Sequence, residues 1–218
     1  MSRIIVILCI VIVCSNFICR YSWGAPSFQG YTGLLNVPSA DVLDSGGYNL
    51  GFHNTDLDIT IINAFCANYG AKVETLTSEF GMLKWNPKNG ASETLLNAKC
   101  RIKEQTAISP AIAIGIYDLT NEINSTVYVV VSKRFSLPSL KPSIHDLNGH
   151  LGIGGGKLKG FFMGLDVAID PKTTAIAEYD SEDINFGLRM NLLPNVFVDA
   201  ALLDFGHLGF GISYVGHF

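Results

Sequence analysis

Alternation with a period of two runs through most of this chain, and it limits the possible folds more than any other feature. In residues 183–191, DINFGLRMN, Ile184, Phe186, Leu188 and Met190 fall on one side while Asn185, Gly187, Arg189 and Asn191 fall on the other. Successive side chains of a strand point to opposite faces, so this stretch has one oily face and one polar face. Phe161, Met163, Leu165, Val167 and Ile169 alternate in the same way with Phe162, Gly164, Asp166 and Ala168. Ile108, Ile112, Ile114 and Ile116 alternate with Ser109, Ala111, Ala113 and Gly115, and Ala98, Cys100 and Ile102 with Lys99, Arg101 and Lys103. A soluble sheet turns its oily face inward. A barrel in a bacterial outer membrane turns it out to lipid and lines the lumen with the polar face.

The pattern predicts strands at 47–54, 59–68, 72–85, 93–103, 107–117, 124–135, 147–155, 160–169, 173–180, 183–191, 195–203 and 207–217, separated by Gly, Pro, Asn and Asp. No later segment has sustained helical spacing or is apolar enough for a spanning helix. Many of the strands reach the 9 to 11 residues that a tilted membrane strand needs. Charged residues are 16% of the 218, with 15 basic against 19 acidic, and glycine is abundant at 22. That balance gives no reason to expect nucleic acid, and the glycines suit a one-domain barrel or sandwich with many turns.

The start of the chain reads as an export signal over residues 1–24. Arg3 is the basic region, Ile4 to Val13 the apolar core, and Ser22-x-Gly24 supplies small residues for cleavage near Gly24 or Ala25. The alternative is a membrane anchor, but the apolar run holds Ser15 and Asn16 and falls short of about 20 residues. After cleavage Cys66 and Cys100 remain, either as one disulfide or as two unpaired residues on strands. The end of the chain, GFGISYVGHF, sets Phe210, Ile212, Tyr214 and Phe218 on one face. Bacterial outer-membrane barrels commonly finish on such an aromatic, which their assembly machinery reads, although Gly216 stands where an apolar residue is usual. Together these features favour an antiparallel transmembrane β-barrel of 10–12 strands over residues 47–218, preceded by an extended segment or turn at 25–46.

Several segments, in order, resemble the YjbH-like family of outer-membrane barrel proteins: GYTGLLNVPSADVLDSGGYNLG (30–51), LLNAKCRI (95–102), AIAIGIYDL (111–119), VYVVVSKRF (127–135), FFMGLDVAIDP (161–171) and AEYDSEDINFGLRM (177–190). The resemblance covers almost the whole chain after the signal. It implies a place in the cell envelope and a role in exopolysaccharide production and export, with outer-membrane lipid, the barrel-assembly machinery and polysaccharide as partners. Family members tied to exopolysaccharide are much longer, so this chain reads as the barrel core.

On the barrel reading, Lys99, Arg101, Asp166, Glu178, Asn185 and Arg189 face the lumen, and Ile184, Phe186, Leu188, Met190, Phe210, Ile212, Tyr214 and Phe218 face lipid. Glu178 and Asp180 precede a strand whose lumen face carries Arg189, so acidic and basic groups are expected to pair inside; a polar track for a sugar or ion is the functional alternative. TGLLNVPSADVL reads as a periplasmic turn that starts the barrel, with a plug or gate for the lumen as the other reading. No enzyme is expected: His53, His145, His150, His207 and His217 lack a placed nucleophile, and Ser213 lacks the elbow glycines. GIGGGKLKG (152–160) reads as a hairpin rather than a phosphate loop. No cofactor or metal ligand set is evident. The remaining function classes are a passive or narrow-pore barrel, a secreted soluble β-protein that binds a ligand or surface partner, and a barrel-embedded hydrolase.

Overall fold

The computed structural model describes residues 24–57, 60–136 and 146–218. Residues 1–23, which hold most of the expected signal, and His145 lie outside them. Twelve antiparallel strands close into one barrel, each pairing with the next in sequence and the last returning to the first. They are β1 (Gly47–Leu57), β2 (Thr60–Val73), β3 (Leu76–Pro87), β4 (Glu93–Lys103), β5 (Ala111–Tyr117), β6 (Thr126–Ser136), β7 (Asp146–Gly154), β8 (Gly160–Ala168), β9 (Thr173–Tyr179), β10 (Ile184–Leu193), β11 (Val196–Leu203) and β12 (His207–His217). Closure through the β1–β12 ladder, from Gly47 opposite His217 to Thr55 opposite Gly209, leaves no edge strand. An even strand number brings Gly47 and His217 to the same end, here called the terminal mouth.

The alternation sorts side chains onto two faces. Ile184, Phe186 and Leu188 are 42–45% exposed, and Asn185 and Arg189 on the same strand are 1% and 3% exposed. Met190 is half-buried on the outer side. Phe210, Ile212 and Tyr214 also project outward, and Phe218 follows β12 and stacks on Tyr48 with ring centroids 4.7 Å apart. Tyr69 and Tyr214 join this aromatic group at the terminal mouth, and Phe186 meets Phe205 near the other end. Among the described strands outward charge is sparse, as at Asp56, Lys84 and Lys133, and Lys84 lies opposite Phe65.

Two expectations change, and one alternative left open is decided. The strand predicted from 107 begins at Ala111: Pro110 has no N–H for the ladder, and Ile108 is 95% exposed in the preceding loop. Cys66 and Cys100 are not bonded to each other, because Cys66 faces inward beside His53 while Cys100 shares the outer face with Ile102. The segment predicted as a periplasmic turn lies instead inside the barrel, with Ala25, Leu35, Val37 and Ala40 fully buried. GIGGGKLKG is the β7–β8 hairpin, tightened by a 3-10 turn at Gly156–Leu158.

Candidate functional site: the filled lumen

Residues 24–43 occupy the lumen as a twice-folded segment. A turn at 27–30 closes through a Gly30 N–H donated to the Ser27 carbonyl, with Gly30 at a positive φ of 87° that favours glycine. Short bridges join Pro26 to Thr32 and Gly33 to Pro38. Both ends of the segment lie at the terminal mouth. The Asn49 side chain donates to the Gly24 carbonyl there, and the Gly46 N–H donates to the Gly70 carbonyl.

A chain buried this way has backbone groups that neither water nor a sheet ladder satisfies, so the wall must supply partners. It does so with charge. Glu178 on β9 accepts the N–H groups of Leu35 (3.0 Å), Asn36 (2.7 Å) and Val37 (3.1 Å). Glu79 on β3 accepts the N–H of Thr32 (2.9 Å), its hydroxyl, and the N–H of Leu43 (3.1 Å). The carbonyls are taken by cations. Arg189 on β10 donates to the oxygens of Gly33 (2.9 Å), Leu34 (3.0 Å) and Pro26 (3.3 Å). Lys99 on β4 donates to those of Thr32 (2.7 Å) and Ser39 (3.3 Å). Charge-assisted bonds of this kind are roughly twice as strong as neutral ones.

The charges are themselves balanced. Arg189 Nε donates to Asp199 Oδ1 at 2.6 Å, across the register pair Arg189–Asp199 of the β10–β11 hairpin. Lys99 stands 3.9 Å from Glu79. Asn185 donates to both Glu178 (3.1 Å) and Asp180 (2.9 Å). The expected meeting of Glu178 or Asp180 with Arg189 does not occur. Glu178 is taken up by backbone amides, and Arg189 by Asp199 and backbone carbonyls.

Apolar packing completes the fit. Tyr31, Val37 and Ala40 lie in one cluster with Leu83, Leu95, Tyr128 and Phe162, and Phe28, Leu34 and Leu35 in another with Ile176, Ala201 and Leu203. Wall glycines make room for these side chains. A Cβ on Gly164 would stand 2.5 Å from Leu34, one on Gly187 2.8 Å from Leu35, and one on Gly209 2.6 Å from Phe28. The abundance of glycine, expected to reflect turns, thus also reflects the inner wall of the strands.

The remaining candidates sit toward the terminal mouth. Arg101 is partly exposed and pairs with Glu104 at 3.1 Å. Asp166 lines a polar cleft between the segment and β7–β10, together with Asp41, Asn148, His150 and Thr174. Behind this cleft Ser132 Oγ lies 2.7 Å from His150 Nδ1, and His150 Nε2 lies 2.8 Å from Asp166 Oδ1. These are the residue types of a hydrolytic relay, but Ser132 Oγ accepts the Ala40 N–H at 2.8 Å and is covered by the inner segment. The group acts as a fifth anchor. Among the described residues no cluster of three or more His, Cys, Asp or Glu side chains is arranged to hold a metal ion.

The opposite mouth is closed by contacts of the segment's tip. Lys157, in the β7–β8 hairpin, donates to the Gln29 side chain at 2.7 Å, and Asn97 donates to the Gln29 carbonyl at 3.3 Å. The β5–β6 loop there is organised by Asp118, which accepts the N–H groups of Glu122, Ile123 and Asn124. Burial pushes its carboxyl up, but these donors and the Thr120 hydroxyl outweigh burial and leave its pKa below the usual carboxylate value.

Sequence reasoning missed Glu79, Asp199, Ser132 and His150 as members of this site. Alternation alone puts Glu79 and Asp199 on the inward side, and the tight β10–β11 turn at Pro194 and Asn195 sets Asp199 opposite Arg189. No protein-family model matches the chain, and no curated protein matches it.

Proposed function

We propose that this chain is an outer-membrane protein of a bacterial envelope, exported through a cleaved signal and folded by the barrel-assembly machinery, with its outer face in lipid. One observation carries the reading: an apolar band on the outside of the barrel with few charges in it. Leu50, Phe65, Met82, Val127, Leu151, Met163, Leu188 and Ile212, from eight strands, are each 43–55% exposed. Soluble monomers rarely expose a contiguous apolar patch beyond a few hundred Å². Aromatic residues near both ends of the strands fit the interfacial girdles of membrane barrels.

Within the envelope, the resemblance to the YjbH-like family supports a role in assisting exopolysaccharide production and export. The filled lumen favours a second reading, a barrel that spans the membrane without transporting anything. The reading includes no enzymatic step and no cofactor.

The test is electrophoresis in mild detergent, with and without boiling, after inner and outer membranes are separated. The expected result is recovery in the outer-membrane fraction with a mobility shift on heating. A soluble protein with no shift overturns the membrane reading. Deletion of the gene with unchanged exopolysaccharide yield overturns the export role alone.

A further inference from the structure

We infer that residues 24–43 are a gate rather than a permanent core, and that the segment leaves through the terminal mouth to open a water-filled passage for small hydrophilic solutes. The inference rests on the membrane reading above and adds an activity to it.

Three independent features point this way. The first is the chemistry of the wall. A permanently buried backbone could be satisfied by neutral Asn, Gln, Ser or Thr side chains, which cost less to desolvate than charges. Here the wall instead buries Glu79, Lys99, Glu178 and Arg189 at 2–3% exposure, and each binds the backbone of the inner segment. Those same groups form a hydrated polar lining once the segment is gone, as in conducting barrels.

The second feature is topology. Gly24 and Asp44 both lie at the terminal mouth, so the segment enters and leaves by one opening and no chain has to be threaded for it to come out. No covalent bond holds it, since Cys66 and Cys100 are both free. Cleavage near Gly24 or Ala25, expected from the sequence, leaves it tethered only through residue 44. The third feature is size. The segment folds back on itself through the Pro26–Thr32 and Gly33–Pro38 bridges, and two chain passes at about 5 Å spacing leave a path of roughly 10 Å when withdrawn. A twelve-stranded barrel lies between the filled eight-stranded and open sixteen-stranded cases, which allows both states.

The test uses the whole chain in planar bilayers with potassium chloride as the permeant probe. Leu34 and Gly164 are replaced by cysteine in a background where Cys66 and Cys100 are alanine. Leu34 Cγ lies 3.7 Å from a Cβ built on Gly164, within reach of a disulfide. The oxidised tether is expected to abolish openings and reduction to restore them. Glu178→Gln, tested separately, is expected to raise open probability by about tenfold, the shift that follows loss of one charge-assisted anchor. Current that is the same in oxidised and reduced chains, or no current from an inserted, heat-shifting Glu178→Gln chain, overturns the gate and leaves the membrane reading intact. A chain that never inserts overturns both.

Discussion

The two faces of the same strands obey opposite rules. Along β10, Ile184, Phe186 and Leu188 each present a generic apolar surface, and any residue of similar character would serve there. Between them, Asn185 and Arg189 have named partners within 3.3 Å, and Arg189 binds one carboxylate and three carbonyls at once. The outer face needs only a bulk property and the inner face needs specific geometry. Substitutions should therefore be judged by polarity outside and by partner loss or fit inside.

The largest effect should come from breaking the inner network at its centre. Arg189→Ala leaves Asp199 as an unpaired buried carboxylate and should cost about 3–5 kcal/mol, read from unfolding titrations in detergent or lipid. Replacing Arg189 and Asp199 together by leucine should recover only part of that loss, because the Pro26, Gly33 and Leu34 carbonyls then lose their donor. On the outer face, Leu188→Arg should cost about 2–4 kcal/mol at mid-depth, whereas Leu188→Ile should be nearly silent. A fall of comparable size for Leu188→Ile would break the contrast, because it would mean that the outer face also depends on shape.

A smaller inner effect tests fit without charge. Gly187→Val puts carbon where Leu35 already stands and should cost about 1–3 kcal/mol, and Leu35→Ala in the same chain should relieve part of it. Smallest is the loop at the opposite mouth. Asp118→Asn should cost about 1 kcal/mol of loop order, detected as faster proteolysis of residues 118–125. The sign of its pH dependence follows from a carboxyl held below its ordinary value. Asp118 contributes its full stabilisation above the normal carboxylate pKa and loses it as pH falls through the lowered one. Cleavage of the wild-type loop should therefore rise in acid, and that of Asp118→Asn should not.

The barrel was legible in the sequence because it depends on period and length. All twelve strands were placed, since alternation and turn residues are local signals. The occupied lumen was legible only as the second of two readings, for the opposite reason. TGLLNVPSADVL has no period, and Pro38 and Gly33 read equally well as an exposed turn. What makes it an inner segment is the set of inward groups on β3, β4, β9 and β10, which are distant in sequence. Its partners were half visible: Lys99, Glu178, Asn185 and Arg189 were assigned to the lumen, but what they bind depends on where residues 24–43 lie. Glycine misled in the same way, because Gly164 and Gly187 look like weak strand positions until Leu34 and Leu35 are beside them.

The oily face is proposed to meet lipid while the polar face holds the inner segment. The most direct measurement attaches a fluorophore at Leu188→Cys, in a chain whose Cys66 and Cys100 are alanine, and compares quenching by brominated acyl chains with quenching by aqueous iodide after reconstitution. Strong quenching by the brominated lipid and weak quenching by iodide is the predicted result. Strong iodide quenching with no response to brominated lipid would mean that the outer face meets water, and would contradict the account.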